Sequence, residues 1–97
     1  MVYGLGDVVT RRDGGTNALV SVPIGRACLT RVVFSYGSAP TGGRLTIRDG
    51  ADTKFSLPIT GAGPGPIRLV IKGVDLFAEL APGGVGVTGD LYVEFVK

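Results

Sequence analysis

Residues 44–60, RLTIRDGADTKFSLPIT, constrain the fold more than any other stretch of this chain. Leu45 and Ile47 alternate with Thr46 and Arg48, and Phe55, Leu57 and Ile59 alternate with Lys54, Ser56 and Thr60. That period of two marks strands with one apolar face. Between them lies Asp49-Gly50-Ala51-Asp52. Gly50 can adopt the positive φ of a tight reversal, and the Asp carboxylates can cap free backbone N–H groups, so the segment is predicted to be a β-hairpin. A lone hairpin is marginal in water, and its apolar face needs a second layer.

The rest of the chain has the same texture. Seventeen Gly and six Pro punctuate short apolar runs, and no long window holds an apolar period of 3.6. Ala18, Val20 and Val22 predict a short strand ended by Pro23 and Gly25, followed by a β-branched and aromatic run over residues 28–36. Val32, Val33 and Phe34 are consecutive, so that strand is expected to be covered on both faces. Pro58 cannot donate to a ladder, which places its strand at an edge or a bulge. Residues 38–43 and 61–66 read as loops. Ile67, Leu69 and Ile71 alternate through the next strand, residues 73–75 read as a turn, and residues 76–80 as a strand or one helical turn, the strand favoured because Pro82-Gly83-Gly84 leaves no room for a stable helix. Residues 85–88 read as weakly extended and Gly89-Asp90 as a turn before a last strand of Leu91, Val93 and Phe95. Arg11-Arg12-Asp13-Gly14-Gly15 reads as a turn or loop. About eight short strands with little helix predict an all-β fold, a compact antiparallel β-sandwich or jelly roll. Residues 1–10 form an arm or a first strand, and residues 11–97 a single domain. The expected inner set is Val20, Leu29, Val33, Leu45, Ile47, Phe55, Leu57, Ile59, Ile67, Leu69, Ile71, Leu91, Val93 and Phe95.

Several function classes lack their chemistry. No His occurs, which removes the commonest general base and metal ligand, so an enzyme is not expected and no cofactor is implied. Asp49 and Asp52 read as turn-capping carboxylates rather than a Ca²⁺ site, which needs six to eight oxygens. The two RDG triplets, Arg12 to Gly14 and Arg48 to Gly50, are ordinary turn chemistry. The glycine-rich loops lack the setting of a phosphate cradle. The ten basic residues are scattered, with only Arg11-Arg12 adjacent, so nucleic acid is not an expected partner. The lone Cys28 reads as a buried, inert thiol. Neither a signal peptide nor a membrane span is apparent, which predicts a protein made in a cytoplasm without membrane attachment. Charged residues are only 19% of the chain, which hints at surface that another protein covers.

In the run ACLTRVVFSYGSAPTGGRLTIRDGADTKFSLPITGAGPGPIRL and the ending APGGVGVTGDLYVEFVK, the chain resembles the small all-β virion proteins of tailed bacteriophages, especially those that decorate or cement the head shell. The resemblance covers residues 27–97 and lies in the order of strands and turns. It implies a non-enzymatic structural protein on the capsid surface of the virion, made in the host cytoplasm. Its partners would be the major capsid protein and copies of itself, with a trimer favoured, and no nucleic acid, membrane or small-molecule substrate. Met1, Val2, Tyr3, Leu5 and Val8, with an edge containing Val70, Lys72 and Val96, are the expected contact residues. The alternative is a receptor- or carbohydrate-binding module of a tail fibre or tip, which needs Tyr3, Tyr36 or Tyr92 exposed together with Asp side chains.

Overall fold

The computed structural model describes residues 7–13 by their backbone, and residues 20–81 and 87–96 in full. Among these residues run six strands: β1 (Asp7–Asp13), β2 (Val20–Tyr36), β3 (Gly43–Asp49), β4 (Asp52–Ile59), β5 (Gly65–Ala81) and β6 (Gly89–Val96). They form one sheet in the order β1-β6-β2-β5-β3-β4, every pair antiparallel. No helix occurs among the described residues.

This one sheet makes two layers because its two 17-residue strands bend. Residues 28–36 of β2 lie between β6 and residues 65–72 of β5, with β1 beyond β6. Residues 76–81 of β5 lie between residues 20–25 of β2 and β3, with β4 beyond. Between these halves the register shifts: Pro23 pairs with Phe77, Gly25 with Leu76 and Ala27 with Gly73. An extra residue therefore sits first in β2 and then in β5, and Gly25 takes φ +82°. Such bulges bend a strand and raise its twist. The 20 Å smallest dimension suits two layers about 10 Å apart with their outward side chains.

The bulges also decide which residues face inward. On β5 the inward positions are Ile67, Leu69 and Ile71 before the bend and Leu76, Ala78 and Leu80 after it. On β2 they run Val20, Val22, Ile24, then Ala27 and Leu29, and after a further shift at Leu29/Arg31, Val32 and Tyr36. Each parity change keeps apolar side chains on one side. They join Leu45, Ile47, Ile59, Val87, Leu91, Val93 and Phe95 in a single core, and no polar or charged residue is buried among the described residues. Burial of this kind contributes about 25 cal/mol per Å² and is the main term opposing chain entropy.

The all-β sandwich expected from sequence is present, with corrections. Six strands replace the expected eight, because Pro23-Gly25 and residues 73–75 are bulges inside long strands instead of ends. Arg11-Arg12-Asp13 and Gly89-Asp90, read as turns, extend a ladder instead, pairing Arg11 with Leu91, Arg12 with Asp90 and Asp13 with Gly89. In the core, Val32 replaces Val33, and Phe55, Leu57, Ile67, Leu69 and Ile71 are only half-buried, since they stand on edge segments. Val22, Ile24, Ala27, Tyr36, Leu76, Ala78, Leu80 and Val87 are buried without having been in the expected set.

The β3–β4 hairpin forms as expected, with Leu45 opposite Leu57, Ile47 opposite Phe55 and Gly50 at φ +59°. Its Asp49 caps a more distant group than expected: Oδ1 accepts from the N–H of Asp75 at 2.9 Å, while the Gly50 N–H donates to the Asp75 carbonyl at 2.9 Å. The turn is thereby stitched to the bend in β5. Pro58 lies on β4, an edge strand, as its missing N–H requires.

Candidate functional site

The two outer faces of the sandwich differ in chemistry. On the face of β3, β4 and the second half of β5, Arg48 Nη1 lies 3.4 Å from Glu79 Oε1 and its guanidinium 5.0 Å from the centre of the Phe77 ring. Arg44 Nη1 donates to Ser56 Oγ at 2.6 Å. These contacts link side chains across strands, while the buried Arg48 Nε makes no hydrogen bond among the described residues. The face formed by β6, residues 28–36 of β2 and the first half of β5 is different. Among the described residues, the exposed large hydrophobics are Val70 (75%), Val74 (59%) and Tyr92 (37%), on this face and its bulged end.

The ladders arrange this face in rows. Tyr92, Val33 and Pro66 are in register across β6, β2 and β5. The next row is Glu94, Arg31 and Arg68, where Arg31 Nη1 meets Glu94 Oε2 at 2.9 Å and Thr30 Oγ1 donates to the Glu94 carbonyl at 3.1 Å. Then come Val96, Cys28 and Lys72. At this last row an open groove of about 620 Å³ is lined by Arg26, Cys28, Lys72, Gly73, Val74 and Val96.

The residues expected to make contacts are spread over the fold. Val70 and Lys72 are exposed on the first half of β5, which pairs with β2 on one side only, so they do stand on an edge. Val96 is not on that edge. It is half-buried on β6, with Cys28 between it and Lys72, and both flank the groove. Val8 belongs to β1, opposite Glu94. Met1, Val2, Tyr3 and Leu5 lie outside the described residues. Cys28, expected to be buried, is half-buried on the outer face beside the groove, because the bulges put Ala27 and Leu29 inward instead. Val74, Arg68 and Tyr92 were not among the expected contacts. For Val74 the turn reading of residues 73–75 hid an outward side chain, whereas the alternation of residues 91–96 already set Tyr92 apart from Leu91 and Val93.

The tyrosines do not form a shared exposed surface among the described residues. Tyr36 is 5% exposed, on the inner side of β2, while Tyr92 points outward from β6. The Tyr36 hydroxyl donates to the Ala81 carbonyl and accepts from the Arg44 N–H, and burial raises its pKa above the ordinary value. Gly43 leaves room for that hydroxyl, since a Cβ there would lie 2.6 Å from Oη. Tyr36 thus ties β2 to β3 and β5. It is unavailable as a sugar platform.

No family model and no curated protein matches the chain. Solved structures do share its fold. PRD1 vertex protein P5 aligns over 97% of this chain and 99% of its own, at 13% identity and TM-score 0.54. A mitogen from Yersinia pseudotuberculosis aligns over 95% of this chain and 87% of its own, at 9% identity and TM-score 0.55. The Drosophila NLP core, described in connection with pentamer formation and histone binding, aligns over 94% and 99%, at 5% identity and TM-score 0.51. At such identities the likeness is one of fold.

Proposed function

We propose that this chain is a non-enzymatic structural protein of a virion, which binds the outer surface of a phage capsid and stabilises its lattice through protein–protein contacts. The observation that carries the reading is the one-sided distribution of apolar surface. Val70, Val74 and Tyr92 stand on a single face, with the half-buried Val33, Cys28 and Val96 between them and a polar, cross-linked face behind. Exposed apolar surface gathered on one side of a small domain is what a partner covers. The full-length fold match to PRD1 vertex protein P5 supports a place in a virion, and the fold match to the Drosophila NLP core, described in connection with pentamer formation, is consistent with self-association. Repeated contacts on a lattice multiply modest affinities, so a small rigid sandwich suffices for such a role.

The test is co-sedimentation with capsids that lack the protein. Saturable pelleting, weakened by Val70→Asp together with Val74→Asp, is the expected result. Absence of binding over a range of salt concentrations would refute the reading.

A further inference from the structure

We infer that residues 67–72 of β5 bind, by strand addition, an extended segment of a partner protein that bears apolar side chains and carboxylates. This rests on the protein-binding role proposed above and names the chemistry of its partner. Over residues 65–72, β5 pairs with β2 alone, and β3 joins β5 only from Leu76 onward. The other side of this segment is thus an unpaired edge among the described residues. Two of the other edges are interrupted by proline, since β4 holds Pro58 and residues 20–25 of β2 hold Pro23, while the outer edge of β1 holds none. After Pro66, residues 67–72 all retain their N–H groups. An unpaired edge of this kind is a template for another strand, with backbone bonds giving affinity and side-chain pockets giving specificity.

The side chains define what fits. Arg68, Val70 and Lys72 share the outward side, with Val70 75% exposed, and the groove beside Lys72 offers Cys28, Val74 and Val96 to an apolar side chain. Among the described residues, Arg26, Arg68 and Lys72 have no ion-pair partner, while the nearby Glu94 is held by Arg31. Asp75 lies in the bend, its backbone tied to Asp49 and Gly50. A second copy of the same edge is disfavoured. Antiparallel self-pairing centred on Val70 would set Arg68 directly against the other Lys72, and like charges in register repel. Carboxylates at those positions meet both cations instead.

The test uses two seven-residue probes, acetyl-TEVVVDT-amide and acetyl-TKVVVKT-amide, whose charged residues are four apart like Arg68 and Lys72, titrated into the ¹⁵N-labelled protein. The acidic probe is expected to shift the amides of residues 67–72 and Val74 and to bind at least about tenfold more tightly than the basic one, a difference that Arg68→Glu with Lys72→Glu reverses. Equal binding of the two probes, or no shift along residues 67–72, would overturn the inference. So would shifts at Cys28, Val74 and Val96 with decanoate and none with either peptide, which would assign the groove to an amphiphile. Capsid pelleting separates the two readings. If the wild type pellets and a folded charge-reversed variant pellets equally, strand addition is wrong and the capsid role stands; if the wild type does not pellet, the capsid role itself falls.

Discussion

Replacing Tyr36 with Phe isolates the polar contact that ties the long strand β2 to its neighbours. The substitution keeps the ring and removes the hydroxyl, leaving the Ala81 carbonyl and the Arg44 N–H without their partner. An unsatisfied buried group costs about 1–3 kcal/mol, and both lie at strand ends where water can reach them in part, so the expected loss is about 2 kcal/mol. For a domain of this size that lowers Tm by roughly 8–16 °C. Gly43→Ala attacks the same contact from the other side, because its Cβ would lie 2.6 Å from Tyr36 Oη, 3.0 Å from Cζ and 3.1 Å from Pro40 Cβ. Removing the hydroxyl relieves the closest of these. Urea denaturation of both single variants and the double variant should show that the double loses about 1 kcal/mol less than the sum. Strict additivity, or a Tyr36→Phe cost below about 0.5 kcal/mol, would refute the placement of this side chain.

The same residue gives a pH signature. Its phenol has a raised pKa when folded, so above the ordinary value of 10.0 the unfolded chain has released a proton that the folded chain still holds. The unfolded state then binds fewer protons, and stability falls as pH rises from that value through the raised one. In Tyr36→Phe that component of the alkaline slope should vanish; an unchanged slope in chemical denaturation from about pH 9 to 11 would contradict the burial. Leu76→Ala and Leu80→Ala, at fully buried positions after the bend, should each cost about 2–5 kcal/mol, and Leu69→Ala on the edge distinctly less. Equal losses at the three sites, measured by urea midpoints, would mean that β5 is not bent as described. Gly65→Ala should cost about 1–3 kcal/mol, since a Cβ there would lie 2.3 Å from the Phe34 ring. Glu94→Gln removes a partly exposed ion pair and should cost no more than about 1 kcal/mol, less in high salt.

Much of the fold was legible because apolar alternation reports directly on strands. Leu45, Ile47, Leu91, Val93 and Phe95 needed nothing beyond their spacing, and Pro58 announced an edge by its missing N–H. What was not legible were the bulges. Pro23, Gly25 and Gly73 are equally good ends for a strand and bends within one, and local chemistry does not distinguish the two. The difference is made by long-range pairing, in which residues 20–25 find residues 76–80 across the sheet. Each bulge then reverses the parity of the residues on its C-terminal side, which is why unbroken alternation points to Val33 and the structure buries Val32, while Gly73 and Asp75 give Val74 the local chemistry of a turn. The candidate surface was legible in part for the same reason. Val70 and Lys72 are set apart by the alternation of β5, but the neighbourhood of Cys28, Lys72 and Val96 exists only once β6, β2 and β5 are set side by side.

Hydrogen–deuterium exchange of the protein, free and bound to capsids, tests the central claim that one face meets the partner. Binding should slow exchange over residues 65–74 and 91–96 and leave residues 44–58 unchanged. Protection confined to residues 44–58, on the polar face, would contradict the account.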